Sequence, residues 1–260
     1  MSNIRQAFQN GKAFIPFITC GDPDLESTKR NVRAAVAAGG DLVELGIPFS
    51  DPTAEGPVIQ AANLRALSGG VTTDAVFQMV AELREELTTP LVFMTYANVV
   101  FSYGIARFAA CAAEVGIDGV ILPDVPFEEK EEFAPAFRAV GIDFISMIAP
   151  TSMARIREIA AAAEGFLYVV SSLGVTGVRQ EINTDLSGML TSVRQANPSL
   201  PAAIGFGIST PEQAKRMAAV ADGVIVGSAI VRIMAEKGRE ADEEIARYVR
   251  EMKTAANTFQ

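Results

Sequence analysis

Glu44 and Glu55 bracket the stretch Glu44-Leu45-Gly46-Ile47-Pro48-Phe49-Ser50-Asp51-Pro52-Thr53-Ala54-Glu55-Gly56-Pro57, which holds more potential chemistry than any other part of the chain. Glu44 lies in the apolar run Leu42-Val43-Glu44-Leu45, where an ionised carboxylate is costly unless it is paired or put to use. Glu55 sits on the loop that follows. Pro48, Pro52 and Pro57 fix the backbone angle at their positions and remove amide donors, so the loop is expected to be pre-shaped. The chain has no histidine, which removes His-based triads and zinc chemistry, and no metal site is expected. Acid or base work then falls to Asp, Glu, Lys, Tyr or Cys. Taken alone, the two glutamates also fit a plainer description, a half-buried strand-end carboxylate and a solvated loop residue.

The elements that must position these groups are legible as a repeat. Short apolar runs alternate with longer helix-patterned segments, the signature of βα units around a parallel sheet. Eight runs occur, at residues 14–18, 42–45, 91–94, 119–122, 144–148, 166–170, 202–205 and 223–226. Most are continuously hydrophobic, as strands covered on both faces should be. Eight units in 260 residues predict an α/β fold, a single-domain (β/α)8 TIM barrel spanning residues 1–260. A helix of about two turns near residues 2–10 should close the barrel floor. Helices are predicted over 26–38, from Thr72 to near Leu87, and over 153–163. Thr210-Pro211-Glu212-Gln213 carries a capping threonine, a proline at the first helical position and a capping-box glutamine. The charged stretch 236–253 reads as a final outer helix with a solvated face.

Composition narrows the partners. A net charge of −9 disfavours nucleic acid and anionic membrane, which select clustered Lys and Arg. The N-terminus shows no signal-peptide core, and no apolar run approaches the roughly 20 residues that span a bilayer. Cys20 and Cys111 are far apart and suggest no disulfide framework. A cytoplasmic protein that meets small molecules or other proteins is expected.

In such a barrel the loops after the strands form the active face, and both glutamates fall there. The seventh and eighth runs are followed by Gly205-Phe206-Gly207-Ile208-Ser209 and Gly227-Ser228-Ala229-Ile230-Val231. Glycine amides can approach an anion closely, and an extra short helix starting at Ser228 would aim its positive end at the same point. Each glycine pair alone fits a tight strand end; together they favour a phosphate-bearing ligand. The segment from Ser171 to Arg179 is long, polar and glycine-punctuated, as a lid would be.

In order along the chain, Phe14 to Thr19 with Gly21-Asp22-Pro23, the Glu44 to Gln60 segment, Ala62 to Ala66, Tyr96-Ala97-Asn98, Pro123 to Pro126, Gly174-Val175-Thr176-Gly177 and the two glycine motifs resemble the tryptophan synthase α-subunit family. The resemblance implies a lyase that cleaves indole-3-glycerol phosphate to indole and glyceraldehyde 3-phosphate by a retro-aldol reaction, without a cofactor in this chain. It implies that Glu44 is the acid that protonates indole C3 and that Glu55 holds the charge developing at the ring N–H. By the same resemblance Tyr168 borders the catalytic glutamate, and Thr176 with Gly177 belongs to a lid closing toward the second acid. Phe17, Tyr96 and Phe206 resemble walls of the indole pocket, and Gly207, Gly227 and Ser228 its phosphate end. Pro48, Asp51 and Pro52 match a segment that packs on a β subunit containing pyridoxal phosphate, in an α2β2 tetramer.

Two positions depart from the family pattern, which has aspartate where this chain has Glu55 and an aliphatic residue where it has Thr53. A misplacement of about 1 Å in a catalytic group can cost about a hundredfold in rate. A low-activity subunit that mainly caps and activates the β subunit is therefore the alternative. Another phosphate-binding barrel, such as an isomerase or an indole-3-glycerol phosphate synthase, is a third reading; the synthase relies on a lysine near the reacting centre. None of the eight runs contains a lysine, and Lys12 and Lys130 look peripheral. The acid role also has an energetic requirement. Holding a carboxyl of ordinary pKa about 4.3 half-protonated at pH 7 takes about 3.7 kcal/mol, which burial can supply.

Overall fold

The structure, a computed structural model, describes residues 3–171 and 186–258. Nine strand segments are present among those residues: β1 Ala13–Thr19, β2 Val43–Gly46, β3 Leu91–Met94, β4 Gly119–Ile121, β5 Asp143–Phe144, β6 Met147–Ile148, β7 Leu167–Val170, β8 Ala202–Gly205 and β9 Gly223–Val226. All pair in parallel, in the order β5-β4-β3-β2-β1-β9-β8-β7-β6. The run expected at 144–148 is thus two pieces of one barrel strand. One piece faces β4 and the other β7, and the link closes the barrel, because the Ile145 N–H donates to the Val120 carbonyl (2.9 Å) and the Tyr168 N–H to that of Ser146 (3.0 Å). The architecture is a TIM barrel.

Strand alternation sorts the apolar residues into two cores. Phe14, Ile18, Val43, Leu45, Leu91, Phe93, Val120, Leu167, Val169, Ile204 and Val224 face the helices. Ala13, Ile15, Phe17, Val92, Met94, Ile121, Phe166, Tyr168, Ala203 and Ile225 fill the barrel. Glu44 lies between the outward Val43 and Leu45, so its side chain points into the barrel. The register pairs it with Phe17 on one side and Val92 on the other.

The helices begin where their caps dictate. Helix α1, Leu25–Ala37, starts at Asp24, whose carboxylate accepts from the Ser27 N–H at 2.7 Å. Helix α2 is Pro57–Ser68, with proline at its first position, and α3, Thr73–Arg84, is capped by Thr72. Helices α4 Ala97–Tyr103 and α5 Ile105–Glu114 follow β3, and α6 Ala134–Ala139 and α7 Met153–Ala161 flank the fifth barrel strand. Helix α8, Leu186–Ala196, follows β7, and α9, Pro211–Ala218, forms the predicted capping box of Thr210 and Gln213.

Two segments differ from expectation. The N-terminal helix is a single 3-10 stretch, Ile4–Phe8, and it still plugs the floor because Ile4 and Ala7 join the interior core. The charged tail is not one helix from residue 236. Helix α10, Ser228–Lys237, is the extra helix after β9, and it stops at Gly238, whose φ of 57° suits glycine. Helix α11, Asp242–Ala256, then buries Ile245, Val249, Met252 and Ala256 while Lys253 bonds Asp41 at 2.6 Å. Among the described residues no helix is long and apolar enough to cross a membrane.

One ion pair ties the upper face together. Arg65 of α2 donates two bonds to Asp22, at 2.8 and 2.7 Å, and Asp22 is 1% exposed. This fixes α2, which begins two residues after Glu55, to the loop after β1. Arg65→Met leaves a buried carboxylate without its cation and should cost about 2 kcal/mol in urea unfolding; a change below about 0.5 kcal/mol would show that the pair is not structural.

Candidate active site

The C-terminal mouth of the barrel holds a cavity with about 450 Å³ of empty space, counting its opening. Phe17, Glu44, Met94, Tyr168 and Ile225 reach it from inward positions on five strands. Glu55 and Ile59 enter from the second loop and α2, and Phe206, Gly207, Ile208, Gly227 and Ser228 from the loops after β8 and β9. The two glutamates, separated by ten residues in sequence, therefore share one apolar-walled chamber.

Glu44 is 1% exposed, and neither carboxylate oxygen has a hydrogen-bond partner among the described residues. Burial, with the nearby charge of Glu55 as the second cause, pushes its pKa up to about 8. Glu55 is 2% exposed. Tyr168 is raised well above the ordinary phenol value, first by burial and then by the charges of Glu44 and Glu55, so its hydroxyl keeps its proton. Its ring meets Phe206 edge to face, with centroids 6.1 Å apart. Gly205 makes room for it, since a Cβ there would lie 2.4 Å from the Tyr168 oxygen.

At the other glycine motif, α10 begins at Ser228 directly after Gly227, and the first amides of a helix lack intrahelical acceptors. Phe206 has φ 73°, a left-handed conformation that is strained for a non-glycine residue, and Gly207 continues it at 77°. The Ser171 hydroxyl donates to the Phe206 carbonyl at 2.7 Å and holds this turn.

Tyr96 does not line the cavity. Its ring stacks on Phe49 with centroids 5.3 Å apart, and its hydroxyl accepts the Ala54 N–H at 3.1 Å. It supports the loop that carries Glu55. Thr176 and Gly177, with the rest of the expected lid beyond Ser171, lie outside the described residues. Pro48 and Pro52 are buried in the loop and Asp51 is exposed on it. Beside them runs an open groove lined by Phe49, Pro52, Pro57 and Leu64, and Leu64 is 67% exposed. Met94, Ile59 and Ile225 were not singled out by sequence. Met94 and Ile225 sit at inward positions near strand ends, a signal that needs the inward parity of each strand to be known.

The sequence profile of the tryptophan synthase alpha chain family matches residues 2–259. The chain belongs to the tryptophan synthase alpha chain family. A tryptophan synthase alpha chain of Lacticaseibacillus casei is 48% identical over 257 residues, covering 99% of this chain and 96% of that protein. Another, from Lactiplantibacillus plantarum, is 50% identical over 256 residues, covering 98% and 96%. Among solved structures, a tryptophan synthase complex from Pyrococcus furiosus superposes with a TM-score of 0.85 at 37% identity, covering 94% of this chain and 99% of the matched one. Family membership favours the lyase over the synthase reading, and among the described residues no lysine lines the cavity.

The raised pKa of Glu44 makes stability depend on pH with a defined sign. The unfolded chain loses this proton near the ordinary value of 4.5, whereas the folded chain keeps it to about 8, so this residue's contribution is most favourable below about pH 4.5 and declines as pH rises to about 8. Glu44→Gln escapes the decline. Its stability relative to the parent should rise between about pH 5 and pH 9, by on the order of a few kcal/mol. Parallel thermal unfolding curves with a constant difference across that range would contradict the burial account.

Proposed function

We propose that Glu44 and Glu55 carry out the retro-aldol cleavage of indole-3-glycerol phosphate in this barrel. The observation that carries the assignment is the buried carboxyl of Glu44, unpartnered among the described residues and with its pKa pushed up to about 8, in the same cavity as Glu55. An acid that is largely protonated near neutral pH can give its proton to indole C3. The ring nitrogen then carries the positive charge, and the carboxylate of Glu55 stabilises it. As the bond between C3 and the glycerol carbon breaks, its electron pair returns to the ring. The adjacent hydroxyl loses its proton to the carboxylate of Glu44, which regenerates the acid and leaves an aldehyde. One proton enters and one leaves. The products are indole and glyceraldehyde 3-phosphate.

Phe17, Met94, Tyr168 and Phe206 supply the apolar surface that an indole ring needs. Gly207, Gly227 and Ser228 receive the phosphate at the start of α10. Tyr96 acts through Ala54 and is a positioning residue. No cofactor is needed in this chain for these steps. Residues 1–260 work as one cytoplasmic unit that passes indole to a β subunit in an α2β2 assembly, where pyridoxal phosphate belongs to the β subunit. Pro48, Asp51 and Pro52, with the exposed Leu64 and Phe101 on neighbouring helices, form the face toward it. A subunit that only caps its partner would have no need of two carboxylates in one apolar cavity.

Glu44→Gln should lower the rate of indole release by about a hundredfold or more while the barrel stays folded, and near-normal turnover would remove Glu44 from the acid role. In the parent enzyme kcat/KM should fall on the alkaline side with a midpoint near pH 8. Ser228→Asp should raise KM by about tenfold or more with a smaller effect on kcat, because it places a like charge beside the phosphate; an unchanged KM would relocate the phosphate site.

A further inference from the structure

The loop after β8 forms one wall of the catalytic cavity through Phe206, Gly207 and Ile208. Phe206 and Gly207 hold φ of 73° and 77°, a conformation that a non-glycine residue leaves readily, so the turn needs restraint from both ends. A peptide is planar, and a bond to its carbonyl also fixes the amide on its other side. The Ser171 hydroxyl, on the Phe206 carbonyl, thereby orients the Gly207 N–H. On the far side of the turn, Gln213 Oε1 accepts the Ser209 N–H at 2.8 Å and the Thr210 N–H at 3.2 Å, which fixes the two peptides that follow Ile208. These anchors are close at hand, at the end of β7 and in the first turn of α9.

The peptide between Ser209 and Thr210 has a further anchor from far along the chain. Tyr248 of α11 donates its hydroxyl to the Ser209 carbonyl at 2.9 Å. Its ring packs against the outer core, and burial pushes the phenol pKa up, so the hydroxyl keeps its proton and remains a donor. Helix α11 also packs against both α9 and α10, the helices that leave the two glycine motifs. The last helix of the barrel therefore stands behind both halves of the phosphate end and reaches one of them through a hydrogen bond.

We propose that Tyr248 is a positioning residue for the phosphate end of the site, where its bond to the Ser209 carbonyl holds the turn from Phe206 to Ile208 in the form that receives the substrate phosphate. The inference rests on the phosphate reading of Gly207, Gly227 and Ser228 above. A tyrosine that only filled the outer core would change stability and leave ligand affinities alone.

Tyr248→Phe removes the hydroxyl and keeps the ring. Calorimetry on the full chain should show glycerol 3-phosphate, the phosphate-bearing part of the substrate, binding about threefold to tenfold more weakly while indole binds as before. In the indole-release assay KM should rise by a similar factor and kcat should stay within about twofold of the parent. Tyr248→Leu carries the same test if Tyr248→Phe does not fold. Three results would each overturn the inference: an unchanged affinity for glycerol 3-phosphate, equal weakening of both ligands, or a fall in kcat at constant KM. A parent chain that bound indole but not glycerol 3-phosphate would remove the phosphate reading itself, and the role of Tyr248 with it.

Discussion

The burial of one unpartnered carboxyl inside the barrel sets the terms for everything around it. Glu44 occupies an inward position on β2, and the residues paired with it on β1 and β3, Phe17 and Val92, are both apolar. A carboxylate there loses its hydration without gaining a hydrogen bond from any of the described residues, so the proton is retained to a higher pH than in water. The same physics that makes the residue a liability for folding makes it an acid near neutral pH. The rest of the core must offset the cost, and fully buried Phe14, Phe93, Phe108, Phe137 and Phe166 show where that stabilisation resides.

The second carboxyl raises a different problem, because it arrives on a loop. A glutamate on a mobile segment could not hold a fixed relation to Glu44. The structure answers with contacts on both sides of Glu55. Tyr96 receives the Ala54 amide and stacks on Phe49, Gly56 caps α2 with proline at its first position, and Arg65 locks that helix to Asp22. On the opposite wall, the left-handed turn at Phe206 and Gly207 is tied to Ser171. Glycine is also placed to clear space: a side chain at Gly205 would meet the Tyr168 hydroxyl, and one at Gly46 would meet the Phe17 ring at 2.5 Å.

Much of this was legible in the residues. Seven of the eight apolar runs match single strands, the helix predicted from Thr72 begins there, and the capping signal at Thr210 places its helix start correctly. The fifth run was read as continuous because hydrophobicity does not report which neighbour each half pairs with. The tail was read as one helix because charge patterning overlooked the break that Gly238 permits. Tyr96 was read as a pocket wall from the family resemblance, whereas its contacts depend on the path of a loop more than forty residues earlier. Lys12 and Lys130, read as peripheral to the reacting centre, do not line the catalytic cavity.

The order of apolar runs, the proline-rich loop between two glutamates and the two glycine motifs determined the fold, the family and the face on which chemistry occurs, because backbone propensity and burial pattern are local properties. Only the tertiary structure decided the parity of each strand, and with it the fact that Glu44 points into the barrel, that Glu55 joins it there, and that Gly205 yields space to Tyr168. These are consequences of closure. A strand has no inside until its neighbours supply one, and a carboxyl has no raised pKa until the chamber that excludes water has formed.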